Sequence, residues 1–514
     1  MLGIRTSYLR WLVVIGVLSL ALSFLLVSSV AVYGEDEDVV RVRARGGKDI
    51  DNMDPAHHIG NEEYNINLAL YSRLMRYKPG SKELMLDAAE SIDVSEDGTV
   101  IEFKLKEGIK FHKGYGEMTA EDVKFSYERI IDPEENSEMK FEWKTLERVE
   151  VTGKYSGKIV LSEPLASLWT TTIPYSSGAI ISKEAYEDKG GDRFATSPIG
   201  SGPYYWKEWQ PSQKIVLERF PDYFGEQPDF KTIEIYPMED VKVAELAFDR
   251  GELDETSISL DSIQRYEGKD GVDIHFLTNL RYHWFGMNVK EPPFDDIKVR
   301  KAVRQAININ EVIQGAYNGV PDRNDCMLPD EILGHWEGCP THEQNLDRAK
   351  ELMEEAGYPD GFETTIYIYS GGKPEMAAQI IQQQLLNIGI NTRIKAVENA
   401  YESVGKKSVP GAHYFTYSLT LDPGYWFEWF TCDQVGKWNY WKWCNEEFSE
   451  LSEKASKIMD REERAEMYVE MQKIIDEEVP AVSVTNGANA HISDDDVKPV
   501  YLAQYSQYQY WEKE

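Results

Sequence analysis

Two runs of alternating hydrophobic and polar residues meet at Asp97-Gly98. Ile92 and Val94 alternate with polar neighbours before it. Ile101, Phe103 and Leu105 share one face after it, with Glu102, Lys104 and Lys106 on the other. A period of two on both sides of a pair that tolerates positive φ predicts a β-hairpin with one buried face. Beyond Phe111-His112 the period changes. Val123, Tyr127, Ile130 and Ile131 form a helical stripe behind Thr119, whose hydroxyl suits a helix N-cap.

The rest of the chain mixes the same two periods. Strands are expected at 39–44, 159–161, 214–218, 231–236, 253–258 and 282–288, and helices at 64–77 and 241–250. Val299, Ala302, Val303, Ala306 and Ile307 form one stripe. Leu346, Ala349, Leu352, Met353 and Ala356 form another, closed by Gly357 and Pro359. Phe362 to Tyr369 reads as a strand, Pro374 to Ile388 as a helix, and Ile390 to Ala396 as a second strand. That order is a βαβ unit, which requires a parallel pair. A helical stretch over 446–477 precedes a tyrosine-rich tail. The pattern is mixed α/β or α+β, not a repeat array.

At 514 residues the chain is too long for one core, and two or three domains are expected. A hydrophobic share of 42% with 12% aromatics excludes global disorder. The net charge is −34, which repels nucleic acid and anionic lipid, so no nucleic-acid partner is expected. Arg5 and Arg10 precede a run of 24 uncharged residues from Trp11 to Gly34, with small residues at Ser29-Val30-Ala31. Residues 1–34 read as a secretory signal peptide, or as an uncleaved anchor, since the run is long enough to span a bilayer. An exported, periplasmic or otherwise extracytoplasmic protein is expected.

Four cysteines in an exported chain point to disulfides, and the local pairs Cys326–Cys339 and Cys432–Cys444 would each close a short loop. Each such loop is worth about 3 kcal/mol in the loop-entropy picture. A metal site on these cysteines is the rival reading, but no CxxC spacing exists and histidine is scarce. His57 and His58 with Asp54 and Glu62 could also hold a metal, although adjacent loop residues are more often solvated. No metal and no cofactor are expected.

Four blocks, taken in order, resemble the solute-binding protein family of ABC importers that includes the oligopeptide-, dipeptide- and nickel-binding proteins. They are the hairpin with Phe111-His112 and Met118 to Ser126, then Gly200-Ser201-Gly202-Pro203-Tyr204 with Glu218 to Tyr223. Asn288 with Pro293 to Ala302, and Asp347 to Gly361, complete the set. The resemblance implies a type II periplasmic-binding-protein fold, two lobes around a cleft with an inserted third subdomain. Residues 35–58, 195–277 and 478–514 are expected in lobe I, 59–194 in the inserted subdomain, and 278–477 in lobe II. Hinges are expected near 275–282 and 476–484. Cys432 and Cys444 sit where dipeptide-binding relatives have a disulfide loop.

The implied function is capture of a small organic solute, a peptide, sugar or similar molecule, by lobe closure, and its delivery to an ABC permease by a monomeric receptor. Peptide-binding relatives place an Asp three residues before an acidic-Pro pair to hold the peptide ammonium. Here the pair is Asp422-Pro423 and that position is Leu419, which cannot make a charge-assisted bond. Thr416, Tyr417, Ser418 and Thr420 could offer hydroxyls or backbone groups instead. Asn61, Ser257, Trp284 and Asp422 are candidate ligand residues by family position, and Tyr64, Trp143 and Trp426 by neighbourhood. The alternative for each is a packing role or a solvated loop. Abundant Trp and Tyr would also suit an oligosaccharide through stacking.

A secreted hydrolase is the rival from another class. The chain has no G-x-S-x-G or HExxH pattern, and Gly153 to Lys158 is one residue short of P-loop spacing. No catalytic residue is expected.

Overall fold

The structure, a computed structural model, describes residues 38–514 except 58, 59, 279, 331, 408 and 419, and it leaves out the side chains of 61 and 278. The expected signal segment, His58 and Leu419 therefore lie outside the described residues.

Ala89–Val94 and Val100–Leu105 form the expected hairpin, with Ile92 opposite Phe103 and Val94 opposite Ile101. Its loop is held by Asp97 Oδ1, which accepts from the Ser95 and Thr99 hydroxyls at 2.7 and 2.8 Å. Gly98 takes φ 71°, a conformation side chains resist. Ser156–Leu161 and Leu146–Gly153 complete a four-stranded sheet. Ile101, Phe103 and Leu105 share one buried cluster with Val123, Tyr127 and Ile130 of the helix Ala120–Ile131. Thr119 and Asp122 close a capping box at its start, where two otherwise orphaned N–H groups find acceptors.

A seven-stranded sheet is the frame of the first lobe. Its order is Val272–Thr278, Ala488–Asp494, Glu255–Ile258, Val39–Arg43, Thr232–Tyr236, Lys214–Arg219 and Tyr204–Gln210. The second lobe is built on five strands in the order Ile390–Val397, Phe362–Tyr369, Ala412–Ser418, Arg281–Met287 and Ala481–Thr485. Phe362–Tyr369 and Ile390–Val397 are parallel, joined by the helix Gly372–Leu386, as the βαβ reading requires. Ala412–Ser418 also runs parallel to Phe362–Tyr369, and Arg281–Met287 lies antiparallel between its two neighbours.

Two connections cross between these sheets. The first follows Thr278 and enters the second sheet at Arg281, inside the expected hinge region. The return crossing lies at Asn486-Gly487, between Thr485 in the second sheet and Ala488 in the first. The boundary expected at 478 is thereby corrected, because Ala481–Thr485 pairs with Arg281–Met287. The strand is buried at every position, and a run buried on both faces carries no periodicity that assigns it to one sheet.

Two expected helices are also revised. The helix over 64–77 is Asn61–Leu70, and Met75–Tyr77 turns into a strand paired with Leu84–Leu86. Arg73 intervenes, its buried guanidinium donating to the carbonyls of Asn67, Tyr71 and Tyr175 at 3.1–3.2 Å. The stretch 446–477 is two helices, Glu446–Lys457 and Arg461–Glu478, separated at the Asp460 cap. Both expected disulfides, Cys326–Cys339 and Cys432–Cys444, are formed. No helix among the described residues is long and apolar enough to cross a membrane.

Candidate functional site

Ligands of open α/β sheets bind outside the carboxyl ends of parallel strands, because connections diverge there and leave a crevice. In the second lobe that edge is formed by the ends of Phe362–Tyr369 and Ala412–Ser418 and by the start of the antiparallel strand at Arg281. Arg281 lies directly opposite Ser418 in register, and both are exposed. Tyr64, Tyr175 and Tyr505 belong to the same apolar cluster as Tyr282, Trp284 and Tyr417 of the second sheet. Tyr64 stacks on Tyr175 with centroids 5.1 Å apart, Tyr175 meets Tyr505 at 4.8 Å, and the Arg45 guanidinium sits 5.0 Å above the Tyr505 ring.

One face of the second sheet is aromatic. Strand alternation puts Tyr282, Trp284, His413, Phe415 and Tyr417 on a single side. Trp284 is stacked on Tyr282 at 5.1 Å and lies 4.7 Å from Tyr417. Burial lowers His413 to about 3, so its ring is neutral and Nε2 accepts the Trp284 indole N–H at 3.1 Å. Gly286 shares this side, and a Cβ there would collide with the His413 and Trp441 rings. The loop closed by Cys432–Cys444 continues the wall outward. Trp429 meets Tyr417 at 4.6 Å and Trp438 at 6.0 Å, and Trp438 is 41% exposed. The Tyr417 hydroxyl donates to the Trp438 carbonyl, tying strand to loop.

A further set of long-range contacts lies close by in the fold. Asp422 is fully buried and accepts from Arg464 at 2.7 and 2.8 Å, from the Gly424 N–H at 2.8 Å, and from the Thr170 hydroxyl at 2.5 Å. Thr170 lies in the helical turn Leu168–Thr172. The Ala166 N–H donating to the Ser456 carbonyl at 2.9 Å, and Lys457 pairing with Glu163 at 3.1 Å, make further contacts there.

The candidate residues separate into three groups. Thr416, Tyr417, Ser418 and Thr420 stand at or just past the sheet edge, with Trp284 behind it, and Tyr64 packs on the same apolar cluster. Asp422 and Trp426 sit deeper. The carboxylate of Asp422 is committed to Arg464, and Trp426 donates its indole N–H to the Thr420 carbonyl at 3.0 Å. Trp143 and Ser257 lie elsewhere. Trp143 is wholly buried, donates to the Ser177 hydroxyl at 2.8 Å, and packs against Tyr127. Ser257 receives the Arg43 guanidinium at 2.5 Å within the first sheet. Asn61 opens the helix Asn61–Leu70, but its side chain is outside the described set.

The first loop groups Asp54 and His57 with Glu135 and not with Glu62. Donor atoms of Asp54, His57 and Glu135 do lie within 4.8 Å of one another. Arg129 already supplies a cation there, paired with Asp54 and Glu135. Both ring nitrogens of His57 are engaged, by Glu135 at 2.9 Å and Glu138 at 2.8 Å. Glu62 is elsewhere, accepting from the Arg45 N–H at 2.5 Å and the Tyr508 hydroxyl at 2.9 Å.

Arg45, Arg281 and Tyr505 were not among the candidates. A cation beside an apolar strand reads as a solvated end, and no local pattern says that three distant segments converge.

A model described as bacterial extracellular solute-binding proteins, family 5 middle region, matches residues 83–436. The dipeptide-binding protein of Escherichia coli (strain K12) is 26% identical over 455 residues, covering 82% of this chain and 84% of the relative. Among solved structures, HbpA2 from Haemophilus parasuis superposes with a TM-score of 0.85 at 24% identity, over 93% of this chain and 99% of that one. The periplasmic binding protein DppA from Helicobacter pylori, in complex with the peptide STSA, gives a TM-score of 0.74 at 26% identity, over 93% and 98%.

Proposed function

The chain belongs to family 5 of the bacterial extracellular solute-binding proteins, and from that premise we propose that it closes two lobes around a peptide-like organic solute and delivers it to a membrane ABC permease. The observation that carries this is the pair of short chain crossings, one between Thr278 and Arg281 and one between Thr485 and Ala488, that link two separate sheets. Two short crossings form a hinge, and a solute that touches both lobes shifts the population toward the closed form. Similarity to a dipeptide-binding protein and to a structure holding a peptide supports a peptide-like cargo.

The lobe limits we assign are 38–58, 195–278 and 486–514 for the first lobe, 59–194 for the inserted subdomain, and 281–485 for the second. Tyr64, Thr416, Tyr417, Ser418 and Thr420 line the crevice in this reading. The receptor is monomeric, exported on its N-terminal segment, and performs no chemistry on its cargo. An oligosaccharide is the second reading, favoured by the exposed Trp438 at the end of the aromatic wall.

A thermal-shift screen with dipeptides, longer peptides and oligosaccharides tests the class. Stabilisation by a peptide subset supports the reading. Hydrolysis of any of these compounds, or stabilisation by none, would refute it.

A further inference from the structure

A separate stretch of chain, 318–327, lies across the return crossing at Asn486-Gly487. It leaves the helix Ile309–Tyr317 and first touches the layer of the seven-stranded sheet. There the Asn318 amide donates to Asp261, and Val320 packs against the cluster of Phe248, Leu260 and Ala490. A few residues on, it joins the second sheet. Arg323 bridges Thr485, the Asn324 N–H donates to the Val484 carbonyl at 3.1 Å, and the Thr485 hydroxyl donates to the Asp322 carbonyl at 2.7 Å.

Between those ends it grips the crossing itself. The Asn324 amide donates to Asn486 Oδ1, and the Asn486 amide donates to the Met327 carbonyl at 3.3 Å. The Gly487 N–H donates to the Thr485 hydroxyl at 3.0 Å. Asn486 is only 5% exposed, so its bonds are made away from water, where each counts for more. Asn324 Oδ1 also accepts the Cys326 N–H at 2.9 Å, and Cys326 is joined to Cys339. The disulfide loop is fastened in turn to the helix Arg461–Glu478. Gln472 accepts from the Leu328 N–H at 3.3 Å and donates to the Gly334 carbonyl at 2.7 Å. A cavity of about 470 Å³ adjoins the crossing, lined by Phe276 and Ala488 of the first sheet and by Trp336 of the disulfide loop. With space beside it, the turn depends on these hydrogen bonds more than on close packing.

We propose that Asn324 and Asn486 are positioning residues for lobe closure: the segment 318–327, pinned by Cys326–Cys339, is a strap that holds the return crossing in the closed conformation. This deepens the solute-capture reading above and rests on it for the crossing being a hinge. In the lobe limits assigned there, the bonds from Thr170 to Asp422 and from Ala166 to Ser456 run between lobes, so the conformation described is the closed one. A hinge works by changing φ and ψ at a few residues. Swinging the sheets apart at Asn486-Gly487 has to break the strap's bonds at one end or the other. Those bonds therefore count toward one state only, and solute affinity reports them through the population of that state. The strap makes them away from the sheet edge at 416–420, so its effect on binding runs through the crossing.

Hydrogen exchange and X-ray scattering on the full chain stripped of solute, followed by titration with Ala-Phe, test this in Asn324→Ala, Asn486→Ala and Cys326→Ser/Cys339→Ser. Each variant should raise amide exchange over 484–488 by about tenfold, the size expected for one or two lost hydrogen bonds. The strands Lys214–Arg219 and Phe362–Tyr369 should exchange as in wild type. The solute-free ensemble should have a larger radius of gyration. Ala-Phe affinity should fall about tenfold, mainly through faster dissociation. Asn324→Asp keeps an acceptor for the Cys326 N–H and offers one to the Asn486 amide, so it should stay within about twofold of wild type. The two single alanine variants should melt within a few degrees of wild type, and they carry the test if the disulfide variant folds poorly.

Unchanged exchange over 484–488 and unchanged scattering in both alanine variants would overturn the inference and leave the peptide reading intact. Faster exchange throughout both sheets would overturn it too, because that marks a general loss of stability. So would equal Ala-Phe affinity despite a more open ensemble. A looser crossing and a more open ensemble in a protein that binds neither Ala-Phe nor any other peptide would support the strap and refute the peptide reading.

Discussion

Arg464 donates to both carboxylate oxygens of Asp422, and neither side chain is more than 2% exposed. Asp422 also takes the Thr170 hydroxyl, so one buried carboxylate ties Arg464 to the helical turn Leu168–Thr172. The acidic-Pro pair that marks the ligand region in the sequence is thus an internal anchor behind the crevice.

Removing one partner of a buried ion pair strands the other charge in a low-dielectric interior. Asp422→Ala should lower unfolding stability in urea by about 3–5 kcal/mol. The double variant Asp422→Ala/Arg464→Met should recover part of that loss. A single-variant effect below about 1 kcal/mol would show that the pair is not the anchor described.

Gly286 is required by the rings that pass over it. Gly286→Ala should cost about 1–3 kcal/mol through displacement of His413 and Trp441, and should lower solute affinity by deforming the Trp284 wall. Equilibrium unfolding and titration on the same preparation check both. A neutral substitution would mean that the wall yields freely.

The Cys432–Cys444 loop carries Trp438 and is tied to the sheet by the Tyr417 hydroxyl. Cys432→Ser/Cys444→Ser should destabilise the protein by about 2–5 kcal/mol. It should also weaken solute binding by releasing the outer wall. Unchanged affinity would place this loop outside the site.

His57 sits between Glu135 and Glu138, and its hydrogen bond to Glu135, outweighing the cost of burial, raises it to about 9. Asp54 and Arg129 complete its surroundings. A raised folded-state value means that its stabilisation is fully present below the unfolded value of 6.5 and is lost as pH climbs through 9. Glu62, lifted to about 8 by burial, adds a decline of the same sign between 4.5 and 8. The test is therefore the difference between wild type and His57→Gln in urea melts from pH 6 to 9.5. That difference should shrink steadily with pH, and a constant one would contradict the clasp.

The elements legible in the sequence are those whose signal is local. The hairpin at 89–105, the Thr119 capping box and the parallel pair around Gly372–Leu386 all follow from short-range periodicity and caps. Ala481–Thr485 was misplaced because a fully buried strand looks the same in either sheet. Asp422 is recognisable by its neighbour Pro423, but its partner Arg464 lies 42 residues away on another helix. Tyr64, Tyr417 and Ser418 stand as candidates by their position in the sequence, whereas Arg45 and Arg281 carry no local signal, because distant segments supply their surroundings.

The central claim is capture without chemistry at the edge shared by the two lobes. Titrating the solute-stripped protein with a dipeptide panel, and recovering the ligand for mass spectrometry, tests it most directly. The account predicts saturable one-to-one binding of at least one peptide, returned chemically unchanged, and lost on substitution of Ser418 or Tyr64 by bulky or apolar residues. Recovery of hydrolysed products, or binding indifferent to those two positions, would contradict it.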